Sequence, residues 1–228
     1  MKPVPTTFAV GLLASALALA LNAAPAAPSL RNVDAATKVQ RAAPGRTLTL
    51  ASSEAPSTIV STWLRGKGHA SADLNALRVV AQRSDRKGVR HVRMQQEVGG
   101  LAVYNAYVKA AVGKRGELLS VIDALAPLPA TGLKGAAIDE RAALGRAQAS
   151  LGIASAIPAT VQRVGAETRF ARAKGFAEGP RVTRVAVPLA DGSLQVGFLV
   201  ETRRMQAVMD DVVEVEQVLH GDGFVGGN

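Results

Sequence analysis

Cysteine is absent from all 228 residues, which excludes a disulfide scaffold, a thiolate metal site and an acylated lipoprotein anchor. The fold must therefore stand on packing alone. Aromatic residues make up only 4% of the chain, with Trp63 the single Trp, and histidine occurs three times, at His69, His91 and His220. None of the three has a second His at helical spacing, and the H-E-x-x-H arrangement that sets two imidazoles and a general base on one helical face is missing. No G-x-S-x-G surrounds Ser120, Ser150 or Ser193, so the strained turn of a serine nucleophile is absent. Gly113-Lys114-Arg115-Gly116 and the glycines from Gly221 to Gly227 lack the order of a phosphate-cradling loop. Asp139-Glu140 suits a helix N-terminus, and Asp210-Asp211 reads as a solvated pair. Neither nucleophilic nor metal catalysis is supported and no cofactor is implied, so the chain is read as non-enzymatic.

What is present is first a charge imbalance. The net charge is +9, and residues 31–120 hold 15 Lys and Arg against 6 Asp and Glu, while residues 121–228 hold 11 against 12. A basic first half suits an acidic partner, an anionic cell surface or nucleic acid. Few aromatics and no groove-reading motif argue against nucleic acid, and a plain solvated surface is the simplest reading. Second, Met1 to Ala26 carries one charge at Lys2, an apolar run from Phe8 to Leu21, and small residues at Ala24-Pro25-Ala26. That is the layout of a secretory signal peptide. Fourteen residues are short for a bilayer-spanning helix, which needs about 20, so the expectation is cleavage, a secreted or periplasmic protein and no stable membrane insertion afterwards. A retained anchor is the alternative.

The rest divides by texture. Residues 27–55 mix Ser, Thr, Ala and Pro without a period and are expected to be a loosely ordered lead-in. Ile59, Val60, Trp63 and Leu64 share one face of a short helix opened near Pro56 and closed by Gly66. From Leu77 to Leu125 the pattern alternates with period two, broken by Ser84 to Gly88, Gly99-Gly100 and Gly113 to Gly116. Four antiparallel strands in a meander, covered by the helix, are predicted, with Ala102, Tyr104, Ala106, Val108, Ala110 and Val112 on one face of the third. Pro127-Leu128-Pro129 starts a linker over 127–137. Beyond it Asp139 caps a helix carrying Ala143, Leu144, Ala147 and Leu151, closed by Gly152. Val182 to Pro188 and Leu194 to Val200 form strands about a turn at Asp191-Gly192-Ser193, with Pro188 at an edge or a strand end. Residues 158–179 show no clear pattern, and 210–228, with five acidic residues and no Lys or Arg, reads as an acidic, weakly ordered tail.

The stretch Gly88-Val89-Arg90-His91-Val92-Arg93-Met94-Gln95-Gln96, followed by Gly99-Gly100-Leu101-Ala102-Val103-Tyr104-Asn105-Ala106-Tyr107, resembles the fungalysin/thermolysin propeptide motif, FTP. His91, Gln95, Gly100, Val103, Tyr104 and Ala106 take the motif's places, as sheet-holding or partner-contacting residues. Residues 138–209 look more loosely like the PepSY domain that follows FTP in the pro-regions of secreted zinc metallopeptidases. The resemblance implies an α+β chain with an FTP-like unit over 56–126 and a small PepSY-like α+β unit over 138–209. It also implies a pro-region that assists folding of a secreted metallopeptidase and restrains it, in trans, or in cis if the chain is a fragment of a split or truncated peptidase. No H-E-x-x-H catalytic domain occurs before Asn228. A third reading is an envelope-binding module using the basic first half.

Overall fold

The computed structural model describes residues 29–32, 36–205, 212–220 and 223–226, with side chains as far as Arg203. The export segment expected over 1–26 lies outside them. The architecture is mixed α+β and rich in strands. Helix α1 spans Pro56–Gly66, where the apolar spacing places it. Pro56 supplies the fixed φ of a first helical turn, and Ile59, Val60 and Leu64 turn inward and are buried. Burying each such side chain stabilises by roughly 1.5–3 kcal/mol, several times the spread in helix propensity among them, so docking rather than propensity holds the helix. A short helix α2, Ser71–Asn75, follows.

The helices lie on a sheet of β1 (Lys38–Arg41), β2 (Leu77–Ser84), β3 (Arg90–Val98), β4 (Leu101–Val112) and β5 (Leu118–Asp123). Consecutive strands β2 to β5 pair antiparallel, and β1 adds beside β5, Lys38 opposite Asp123 and Arg41 opposite Ser120. Thus the stretch expected to be irregular supplies an edge strand. Its continuation is tied down as well, because Leu48 N–H donates to Leu118 O and Ser52 N–H to Arg115 O. Gly99 and Gly100 have φ of +59° and +77°, the two positive values that a type I′ hairpin turn demands.

The second half contains β6 (Leu133–Lys134), helix α3 (Glu140–Ser150), β7 (Thr160–Val164), β8 (Glu167–Phe170), β9 (Arg181–Pro188), β10 (Leu194–Met205), β11 (Val212–His220) and β12 (Gly223–Gly226). Asp139 caps α3, its Oδ1 accepting the Ala142 N–H at 2.8 Å. Ala143, Leu144 and Ala147 are buried against Phe170, Val182, Phe198 and Val200. Residues 158–179, which have no readable pattern, fold as the β7–β8 hairpin, antiparallel to β9. The acidic stretch expected to be weakly ordered contributes β11 and β12, an antiparallel extension beyond β10. Pro188 is the last residue of β9, where a missing ladder donor costs least.

The antiparallel run β2 to β5 is one part of a larger sheet. β4 runs parallel to β9 through Val103 and Ala186, and β6 runs parallel to β10, so the sheet is mixed and continues from the first half into the second. The cause is local. Opposite Gln96 the register of β4 jumps, Gln95 facing Tyr107 and Glu97 facing Ala102, and Asn105 takes a left-handed φ of +52°. Asn tolerates that region better than most residues. Beyond this bulge the alternation changes phase: Ala106, Val108, Ala110 and Val112 stay buried, but Val103 is buried in place of Ala102 and Tyr104, which are half-exposed. The predicted single face therefore breaks at Asn105.

Candidate functional site

The motif residues separate into two groups. Gln95 closes the bulge: its Nε2 donates to Val103 O at 2.8 Å, Ala106 O at 2.9 Å and Gln96 O at 3.2 Å. These carbonyls lie at the break in the β3–β4 ladder, and a buried carbonyl left unpaired costs about 1–3 kcal/mol. Val103 and Ala106 lie in a core cluster with Ala126, Ala186 and Leu194, and Tyr104 packs against the cluster of Val185, Val187 and Leu189. Gly100 sits in the hairpin turn. Five of the six are thus placed at the joint between β4 and β9 or in the turn leading to it. His91 stands apart, its side chain 58% exposed on β3 with Nε2 3.8 Å from Asp85 Oδ2. Asp85 itself orders the β2–β3 turn. The Val89 N–H above all holds its carboxyl below the ordinary aspartate range, against a smaller opposing effect of desolvation; Lys87 N–H and the His91 charge add to the lowering.

Sequence reasoning overlooked Gln96. It is completely buried, donates from Nε2 to Ala126 O at 2.9 Å and accepts the Ala126 N–H at 3.1 Å. Asp73, also buried, accepts the Leu128 N–H at 2.8 Å. The chain leaving β5 is therefore held by side chains from β3 and α2. His69 was passed over too: its Nε2 donates to Asp123 Oδ2 at 2.7 Å, with side chains 16% and 8% exposed. The adjoining cavity of about 230 Å³ is lined by Arg31, Lys38 and Asp73 as well, and no Ser or Thr lines it. The pair ties the α1–α2 loop to the end of β5. No local pattern signals it, since the partners are 54 positions apart.

A second concave feature is the sheet face turned away from α1. Val92, Met94, Val108, Ala110, Val112, Leu118 and Val121 point to the helix side and form the core with Ile59, Val60 and Leu64. Alternation then sends His91, Arg93, Lys109, Ala111, Ser120 and Ile122 to the opposite side. The pairing registers align them in rows: Arg83, His91, Ala111, Ser120 and Arg41 across one, Ala81, Arg93, Lys109, Ile122 and Val39 across the next. A bowl of about 390 Å³ opens there, lined by residues of all five strands. Its floor is small or apolar and its cations are Arg41, Arg83, Arg93 and Lys109, with His91 beside them; no carboxylate lines it. The Lys109 ammonium lies 4.8 Å and the Arg93 guanidinium 5.9 Å from the Tyr107 ring centroid, contacts that steady both side chains. Among the described residues no Asp or Glu is within ion-pair distance of Arg41, Arg83, Arg93 or Lys109.

Among the described residues, no group of three His, Asp or Glu side chains is placed to hold a metal ion, and no helix is long and apolar enough to cross a membrane. Residues 75–125 match the fungalysin/thermolysin propeptide motif, a span that begins at the end of α2 and closes two residues after β5. The motif is that of a propeptide, not of a catalytic domain, and it covers less than a quarter of the chain. No curated protein matches the chain.

Proposed function

We propose that this chain is a non-enzymatic pro-region module that assists folding of a secreted fungalysin/thermolysin-type metallopeptidase and restrains it. The observation that supports this reading best is the coincidence of the matched span, residues 75–125, with the strands Leu77–Ser84 to Leu118–Asp123. The FTP-like unit takes residues 56–126, a connector 127–137 and a PepSY-like unit 138–209; residues 1–26 export the chain and are then removed. A sheet that folds early offers a slow-folding partner a fixed surface on which to order. The same contact, once made, hinders access to the partner's cleft. The peptidase is engaged in trans, or in cis where the module is the leading part of a longer peptidase.

The test is refolding of denatured thermolysin-type enzyme with and without the protein lacking residues 1–26, followed by an activity assay on the native enzyme at increasing protein. A higher recovered activity, or saturable inhibition, is expected. If neither occurs with any fungalysin- or thermolysin-type enzyme, the reading fails. The open basic face favours one other reading, an envelope module held by anionic polymers. Its mark is binding that weakens steeply with salt, because exposed charges are screened over about 8 Å at physiological ionic strength.

A further inference from the structure

We infer that the open face of the β1–β5 sheet is the docking surface for an acidic segment of the partner polypeptide. This rests on the pro-region reading and names the contact through which it works. The carboxylates of such a segment meet Arg41, Arg83, His91, Arg93 and Lys109, while its apolar side chains rest on Ala81, Ala111 and Ile122.

Charge complementarity and the floor select this occupant together. The cations stand on β1, β2, β3 and β4, strands about 4.8 Å apart. They therefore spread over the face rather than gathering at one point, which suits several carboxylates along a segment better than one small anion. Between the cations the floor carries no charge and exposes methyl and methylene groups, with Val39 of the neighbouring position 65% exposed. A polypeptide has both kinds of side chain to offer such a surface. A phosphate polymer offers charge alone and leaves the apolar floor wet. A nucleic acid needs a free ring on which to stack a base, and Tyr107, the aromatic beside the bowl, already carries Arg93 and Lys109. The chain's own acidic strand over 212–220 is placed elsewhere, since β11 pairs with β10 on the far side of β9.

The probe is a fluorescein-labelled peptide of alternating glutamate and alanine, with a glutamine–alanine peptide of equal length and sodium polyphosphate as comparisons. Anisotropy titration of the protein lacking residues 1–26 should show saturable binding of the glutamate peptide and none of the glutamine one. The R93E/K109E variant should weaken that binding at least about tenfold, and R41E/R83E, on the two edge strands, should do so independently of the Tyr107 contacts. R163E/K174E makes the same charge change at exposed sites away from the bowl and should bind as the original protein does. Far-UV circular dichroism and the urea midpoint establish that each variant is folded.

The same proteins are then assayed on the thermolysin-type enzyme. Loss of both peptide binding and peptidase restraint in the bowl variants supports the inference. Restraint undiminished in both bowl variants overturns it and leaves the pro-region reading standing. Peptide binding lost in the bowl variants, with no effect of any protein on any such enzyme, supports the face as an acidic-peptide surface and removes the pro-region reading. Polyphosphate bound through these residues in preference to the peptide overturns the inference in favour of an anionic polymer.

Discussion

Replacing Gln96 by Met tests whether one buried amide fastens the chain leaving β5 to β3. Methionine nearly conserves volume, so the cavity contribution is small, and what changes is the loss of two hydrogen bonds to Ala126. Ala126 is itself 1% exposed, so its N–H and C=O have no water to turn to. Each orphaned buried group costs about 1–3 kcal/mol, and the apolar side chain returns part of that because an amide is no longer desolvated. We expect Gln96→Met to cost about 2–4 kcal/mol, a large share of the roughly 5–15 kcal/mol that holds a typical domain together. For a chain of this size the melting temperature should fall by roughly 5–15 °C. Urea unfolding followed by the fluorescence of Trp63, and hydrogen exchange at the Ala126 amide, measure it. Gln82→Met, on the exposed strand β2, should stay within about 0.5 kcal/mol as the control. Gln96→Glu adds a signature in pH. It keeps an acceptor for the Ala126 N–H, but its charged form is buried facing a carbonyl, so its folded pKa rises above the unfolded value of about 4.3. The variant is thus least impaired below that value and loses stability as pH rises through the folded pKa. A Gln96→Met loss below about 1 kcal/mol with Ala126 protection intact would refute the reasoning, because it would mean that the Ala126 groups find other partners.

Two more predictions follow from turns. A Cβ on Gly116, whose φ is +85°, would sit 1.8 Å from Ser52 O; Gly116→Ala should therefore cost about 2–4 kcal/mol and make residues 46–55 more sensitive to limited proteolysis, and full retention of both stability and protection would disprove the close packing. Asp85 should titrate in an NMR experiment below the ordinary aspartate value of about 3.9, so its ordering of the β2–β3 turn is present above that value and fades as pH falls through the lowered folded pKa. His91→Ala should raise the midpoint only part of the way, since the Val89 N–H is the largest cause; a complete return would assign the shift to the wrong group.

Local chemistry, written into neighbouring residues, was legible in the sequence: Pro56 and the Ile59, Val60, Leu64 spacing for α1, Gly99-Gly100 for the hairpin, Asp139 for the cap of α3, Asp191-Gly192-Ser193 for the β9–β10 turn. Each depends on contacts within a few positions, and the pattern carries that information directly. The motif around His91 to Tyr107 was legible for the same reason, as a run of adjacent residues. What escaped depends on partners far along the chain. The lead-in looked irregular because β1 is short and stays a strand only through pairing with β5 some 80 positions away. The face of β4 was misjudged because period-two alternation assumes an unbroken ladder, while the bulge at Asn105 is stabilised by Gln95 reaching back from the neighbouring strand. The candidate site divides in the same way. The sequence by itself determined that the first half is basic and that the alternating strands have one apolar and one polar face. Only the tertiary structure decided that Arg41, Arg83, Arg93 and Lys109 from four strands meet over one bowl, because cross-strand register, set by turns, bulges and the helix that claims the other face, is a property of the assembled sheet.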